Sequence, residues 1–156
     1  MRIAVLPNYR VADVEPVVGA VCEKLAALGA EVTLPQDRAF PPADYRELIE
    51  EADAVLAFGG DGTLIHTAKH AAPFGKPVLG INCGHLGFMA GMEGDELSGL
   101  SALIEGNYAV DSRMMLEVTL HTKEGDRVFH ALNEAVISRG NLSRMVALSV
   151  LSDGKP

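Results

Sequence analysis

Apolar and polar residues follow each other in the first two thirds of the chain in a way that predicts strands and helices in turn. Short apolar runs that end at glycine, proline or asparagine predict buried strands over residues 2–6, 31–34, 53–58 and 78–82. Apolar residues at helical spacing predict helices over residues 13–28, 44–51, 63–74 and 95–105. Strands that alternate with helices indicate an α/β fold, with a mostly parallel sheet and flanking helices.

The pattern changes after about residue 105. Segments 113–122, 127–136 and 143–152 have strand-like compositions, and turn-forming residues follow each of them. Because no helix separates these segments, they predict an antiparallel sheet. We therefore expect an α/β domain over residues 1–105 and the start of an all-β domain over residues 106–156. That second domain is expected to be incomplete, since so few strands leave unpaired edges.

Composition narrows the class of protein. The 156 residues are 48% apolar and 22% charged, which is typical of a soluble globular protein and excludes a disordered chain. No apolar run is long enough to span a bilayer. A net charge of −8 and an aromatic content of 5% argue against nucleic-acid binding. Cys22 and Cys83, without an export signal, predict free thiols in a reducing cytoplasm, and Cys83 is interpreted as a bystander.

The most informative segment is Gly-Gly-Asp-Gly-Thr at residues 59–63, which lies between a predicted strand and a predicted helix. Ligands bind at such turns in open α/β sheets, and the N–H groups of the helix start suit phosphate oxygens. The carboxylate of Asp61 fits beside a phosphate if it holds a divalent cation, or if it accepts a proton from an attacking hydroxyl. The alternative is an ordinary tight turn in which Asp61 or Thr63 caps the helix.

This segment resembles the GGDGT motif of the NAD kinases and, more distantly, that of the diacylglycerol, sphingosine and phosphofructokinase-type kinases. The sequence GINCGHLGF at residues 80–88 is similar to a second NAD-kinase motif, and Asn133-Glu134 begins a segment similar to the third. The resemblance covers essentially the whole chain. NAD kinases are longer, however, and their later glycine- and threonine-rich segment is missing here, so the chain resembles the N-terminal part of such an enzyme.

The resemblance implies an activity. NAD kinases transfer the terminal phosphoryl group of ATP, or of polyphosphate, to the 2′-hydroxyl of the adenosine ribose of NAD and so make NADP. The resemblance further implies that NAD and ATP are the partners. A divalent cation, expected to be magnesium, accompanies ATP. We further expect a cytoplasmic protein that binds neither nucleic acid nor membrane and is a homo-oligomer at full length. Residues 1–156 alone are expected to be inactive.

The resemblance also implies roles for individual residues. Asp61 corresponds to the general base or orienting group of the hydroxyl, and no residue is assigned as a metal ligand. The expected NAD-binding residues are Asp61, Gly62, His66, Asn133, Glu134 and Arg144, and the expected phosphate-binding residues are Gly59, Gly60 and Thr63. For His66, Arg144 and the Asn133-Glu134 pair, the alternative is a polar side chain that faces solvent.

Two other functions are compatible with the glycine loop. A lipid or sugar kinase of the same superfamily would share the GGDGT motif, but Asn133-Glu134 and the Leu-Gly-Phe sequence at residues 86–88 favour NAD as the substrate. A non-catalytic nucleotide-binding module would keep the loop without turnover. The presence of Asp61 argues against it for the full-length protein, but for residues 1–156 alone, which are expected to be a truncated form, this alternative stays open.

Overall fold

A five-stranded parallel sheet is the centre of the computed structural model, which describes residues 1–83, 89–138, 145 and 147–155. Its strands are β1 (Arg2–Pro7), β2 (Glu31–Thr33), β3 (Ala54–Gly59), β4 (Val78–Asn82) and β5 (Met92–Glu93). Their order is β2-β1-β3-β4-β5, so β3 is central, and all its residues are buried. From β1 the chain adds β2 on one side, and it then adds β3, β4 and β5 on the other side. The strand order therefore reverses between β1 and β3, and open α/β sheets bind ligands at such a point.

Helices cover both faces of this sheet. They are α1 (Val14–Ala27), α2 (Tyr45–Glu51), α3 (Asp61–Ala71) and α4 (Gly99–Glu105), and a 3-10 turn (Ala72–Phe74) extends α3. Ile3 and Val5 pack with α1 and α4, whereas Ala4 and Leu6 pack with α2 and α3. Side chains alternate between the two faces of a strand, so burial of both faces explains the uninterrupted apolar runs. Within the described ranges, no helix combines the length and the apolar character needed to cross a membrane.

An antiparallel ribbon follows the α/β part. It consists of β6 (Leu116–Thr122) and β7 (Gly125–Ala131), and Val118 lies opposite Phe129 in the pair. Because side chains alternate, Leu116, Val118, Leu120 and Phe129 share one face of the ribbon. Leu120 and Phe129 are exposed, so this face of the ribbon remains accessible to solvent.

The structure confirms the α/β fold with a mostly parallel sheet, and each strand and helix predicted before residue 106 is present. The largest shift is at the start of α4, which begins at Gly99 and not at residue 95 as predicted. The two-residue strand β5 was not predicted, because so short a strand has no periodic pattern. Its neighbourhood is held by a hydrogen bond of 3.0 Å from the N–H of Gly91 to the carbonyl of Gly80. The domain boundary near residue 105 remains a prediction.

The expectation of a third antiparallel strand over residues 143–152 is wrong for the part of that segment that the structure describes. Residue 145 and residues 147–151 have no regular structure, and Ser152 makes only an isolated bridge with Lys155. Met145 and Val150 are strongly exposed. A strand requires a neighbour for its hydrogen bonds, and strand-like composition cannot supply one.

Candidate functional site

The glycine loop forms the turn from the central strand into α3. Gly59 is the last residue of β3, Gly60 caps the helix, and Asp61 is the first helical residue. The N–H groups of Thr63 and Leu64 donate to the carbonyl of Gly60 over 2.9 and 3.2 Å and so close the first turn. The N-terminus of a helix of this length carries partial positive charge and N–H groups that suit an anion. The loop therefore has the backbone chemistry of a phosphate site.

Gly59 is required by a close contact beneath the loop. A Cβ atom at this position would lie 2.5 Å from Oγ1 of Thr63, and the φ angle of Gly59 is +152°. The Thr63 side chain is buried there, and its hydroxyl oxygen accepts a hydrogen bond of 3.0 Å from Nδ2 of Asn8. Among the described residues, no atom outside the chain neighbours and the backbone of α3 lies within 4 Å of a Cβ added to Gly60 or Gly62. A ligand can therefore approach the backbone closely at these two residues.

The carboxylate of Asp61 lies at the N-terminus of α3 and is partly buried. Its Oδ1 accepts a hydrogen bond of 3.1 Å from the backbone N–H of Met89. A negative charge at a helix N-terminus is stabilised by the helix dipole. Asp61 is thus held by a second segment of the chain at the predicted phosphate site.

Asn82, at the end of β4, lies beside Gly59 in the sheet and is almost completely buried. Its Nδ2 donates to Oε2 of Glu93 over 2.9 Å, and its Oδ1 has no hydrogen-bond partner within the described part of the chain. Glu93 was not identified from the sequence, because it lies on the short strand β5. Burial raises the pKa of the neighbouring Cys83 thiol to about 11, which agrees with its interpretation as a bystander.

His66 lies in an aromatic cluster between α2 and α3. Its ring centroid is 4.4 Å from that of His70, 5.2 Å from that of Phe40 and 5.7 Å from that of Tyr45. Burial lowers the pKa of His66, and the nearby positive charges of His70 and Lys69 lower it further. The ring packs against aromatic side chains, and its expected contact with NAD remains a prediction.

The other expected NAD-binding residues lie outside the glycine loop. Asn133 and Glu134 follow the end of β7, instead of lying within a strand as predicted, and both are exposed. Neither side chain makes a hydrogen bond or ion pair with another described residue. Arg144 and residues 84–88 of the second motif lie outside the described residues. The roles of these residues therefore remain predictions.

A cavity of about 700 Å³ lies beside β4. Its volume is in the range of small-molecule sites, and its lining is mainly apolar. Residues of the glycine loop do not line it, but Leu64, Met89 and Leu132 do. Met89 binds the Asp61 carboxylate, and Leu132 precedes Asn133, so the cavity reaches residues next to two of the motifs. Among the described residues, no group of three or more His, Cys, Asp or Glu could hold a metal ion.

Comparison of the chain with known protein families identifies the family to which it belongs. Residues 21–108, more than half of the chain, match the family model of the ATP-NAD kinase N-terminal domain. The chain belongs to the NAD kinase family. The matched region contains β3, the glycine loop with Asp61, and β4, so the family assignment and the site geometry concern the same part of the molecule.

Individual members of the family extend this match. An NAD kinase of Aromatoleum aromaticum is 35% identical over 164 residues, which include 98% of this chain and 54% of the relative. An NAD kinase of Symbiobacterium thermophilum is 50% identical over 103 residues, which include 64% of this chain and 36% of the relative. The chain spans about half the length of the curated relatives that it matches along nearly all of its own length.

The contact beneath the loop predicts the effect of Gly59→Ala. The added methyl group must displace Thr63, so we expect a loss of about 1–3 kcal/mol in the free energy of unfolding, measured by urea denaturation. Gly19→Ala in α1 is the matched control, since no atom of another described residue beyond the backbone of α1 lies within 4 Å of the added Cβ. It should raise stability by about 0.5–1 kcal/mol because alanine favours a helix interior. Unchanged stability of Gly59→Ala would mean that Thr63 moves aside without cost.

The lowered pKa of His66 predicts a pH dependence of stability. The fold favours the neutral imidazole, so below the usual pKa of 6.5 the unfolded chain binds a proton that the folded chain does not. The free energy of unfolding should therefore fall as the pH drops from about 7.5 to about 5.5. His66→Gln should flatten this dependence, and His121→Gln on the exposed ribbon is the control. Equal pH slopes for His66→Gln and the wild type would contradict the prediction.

Proposed function

We propose that the protein carrying this chain is an NAD kinase, which transfers the terminal phosphoryl group of ATP or polyphosphate to the 2′-hydroxyl of the adenosine ribose of NAD. One observation carries the proposal. This chain belongs to the NAD kinase family, and its GGDGT loop joins the central parallel strand to the N-terminus of α3. The carboxylate of Asp61 is held at that point by the N–H of Met89. Both relatives described above are named NAD kinase, which supports the same activity.

The loop provides the groups that phosphoryl transfer needs. The backbone at Gly60 and Gly62 would approach the phosphates, and the positive end of α3 would stabilise the charge on the transferred group. Asp61 would accept the proton of the 2′-hydroxyl or orient that hydroxyl for attack. The hydrogen bond from Met89 restrains the carboxylate, so little reorganisation would accompany the reaction.

Recognition of NAD is assigned to the third motif. The carboxamide of Asn133 can both donate to and accept from an adenine edge, and the carboxylate of Glu134 can accept from ribose hydroxyls. Both side chains are exposed and are therefore accessible to a ligand.

The proposal includes the remaining expectations about the whole protein. Magnesium would enter as the complex of ATP, since Mg²⁺ is usually bound through phosphates and one or two carboxylates. The α/β part would end near residue 105, and the enzyme would be a cytoplasmic homo-oligomer. A coupled assay for NADP, with NAD, ATP and magnesium and the protein in its natural length, tests the activity, and absence of NADP would overturn it.

The role of Asp61 predicts the effect of Asp61→Asn. Loss of a general base lowers turnover by roughly 10² to 10⁴, and the affinity for NAD should stay within a few-fold. Asp53→Asn is the matched control, because Asp53 lies at the other end of β3 and accepts a hydrogen bond from the N–H of Arg2. Steady-state kinetics and NAD titrations measure both effects. Near wild-type turnover of Asp61→Asn would exclude this role.

The role of Asn133 predicts a loss of affinity. If its amide pairs with adenine, Asn133→Ala should weaken NAD binding by about 1–3 kcal/mol, which is roughly 5- to 150-fold in Kd. Isothermal titration calorimetry measures this change. Asn107→Ala, at an exposed residue just after α4, is the control. An unchanged Kd for Asn133→Ala would remove this residue from the site.

A further inference from the structure

The side chain of Asn8 joins the end of β1 to the first turn of α3. Asn8 follows β1 directly, and its Nδ2 donates to Oγ1 of Thr63 over 3.0 Å across 55 positions of the sequence. Neither residue was singled out for this contact by the sequence motifs. We propose that Asn8 is a positioning residue for the GGDGT loop, which acts through Thr63 to fix the first turn of α3 and the Asp61 carboxylate. This inference rests on the proposed function.

Asn8 is itself held in one orientation by its surroundings. Its backbone N–H donates to the carbonyl of Phe58 over 3.0 Å, and its carbonyl accepts from the N–H of Val11 over 3.0 Å. Its Oδ1 accepts from the N–H of Arg10 over 3.2 Å. Because Oδ1 is engaged in this turn, the amide nitrogen faces Thr63. Asn8 therefore provides a donor whose position is set by β1 and β3.

Thr63 is equally restrained. The residue is only 5% exposed, and its hydroxyl lies directly beneath Gly59. Its β-branched side chain has few rotamers within a helix, so fixing the hydroxyl also fixes the backbone of the first turn. Asp61 is two residues earlier in that turn. In this arrangement the hydroxyl of Thr63 lies on the buried side of the loop, and the backbone of the loop would contact the phosphates of the proposed substrate.

This link matters for catalysis because small displacements of reacting groups are costly. A shift of about 1 Å can lower a rate by as much as roughly 10². The Met89 N–H holds the Asp61 carboxylate from one side, and the Asn8–Thr63 hydrogen bond holds the helix start from the other. Without the Asn8–Thr63 hydrogen bond, the Asp61 carboxylate would still be present but would be less well oriented. Asn8 then acts on turnover and not on the affinity for NAD.

The test compares variants of the protein in its natural length. Asn8→Ala and Thr63→Val should each lower kcat about tenfold, with KM for NAD within about threefold. Thr63→Ser, which keeps the hydroxyl, should retain most of the activity. If both act through one hydrogen bond, the double variant should be no slower than the slower single variant.

Thr67→Val is the matched control for loss of a buried hydroxyl. Thr67 lies one turn later in α3, is fully buried, and bonds to the hydroxyl of Tyr45 over 2.7 Å. The substitution removes the same atoms from the same helix but not from the loop, so kcat should stay near that of the wild type. Additive effects of Asn8→Ala and Thr63→Val, or an equal loss in Thr67→Val, would overturn the proposal in favour of a general stabilising role.

Amide hydrogen exchange gives a readout that does not depend on activity. In Asn8→Ala, the N–H groups of Thr63 and Leu64 should exchange up to about tenfold faster, as expected for loss of one hydrogen bond, and Thr67→Val should leave them unchanged. Unaltered exchange in Asn8→Ala would overturn the positioning role. If the wild-type protein makes no NADP while exchange responds as expected, only the proposed NAD kinase activity fails.

Discussion

The contact between Gly59 and Thr63 is the constraint on which the candidate site depends. The chain must leave the buried strand β3 and begin α3 immediately, and the Thr63 hydroxyl occupies the space that a side chain at residue 59 would need. This packing brings the helix start to the carboxyl end of the central strand. The positive end of the helix, the exposed glycine backbone and the Asp61 carboxylate consequently occur together in a single turn.

The parallel sheet brings further polar groups to the same edge. Asn8, Gly59 and Asn82 lie at or directly after the ends of β1, β3 and β4, and Glu93 ends β5. Carboxyl ends of parallel strands meet at one edge, so residues far apart in the chain become neighbours. Two side-chain hydrogen bonds form at this edge, one from Asn8 to Thr63 and one from Asn82 to Glu93. The apolar strands thus place polar side chains along this edge, and one of them, Asn8, bonds to Thr63 in the glycine loop.

Charge at the site differs from charge on the whole protein. The chain has a net charge of −8, which is unfavourable for an anionic nucleotide at long range. At the loop, the local field comes from the helix start and from backbone N–H groups, which act at short distance. Family membership and this geometry agree, since the match to the ATP-NAD kinase N-terminal domain includes the strand, the loop and the helix.

The sequence by itself determined the order of the strands and helices in the α/β part, apart from the two-residue strand β5, and the position of the glycine loop. Both follow from local causes, because burial on two faces demands continuous apolar runs and a tight strand-to-helix turn demands glycine. Only the tertiary structure decided which side chains support the loop and that His66 packs among aromatic rings. It also left residues 147–151 without a strand, although their composition favours one. Contacts between distant residues and the pairing of strands depend on which neighbours the fold supplies, and no local pattern encodes that.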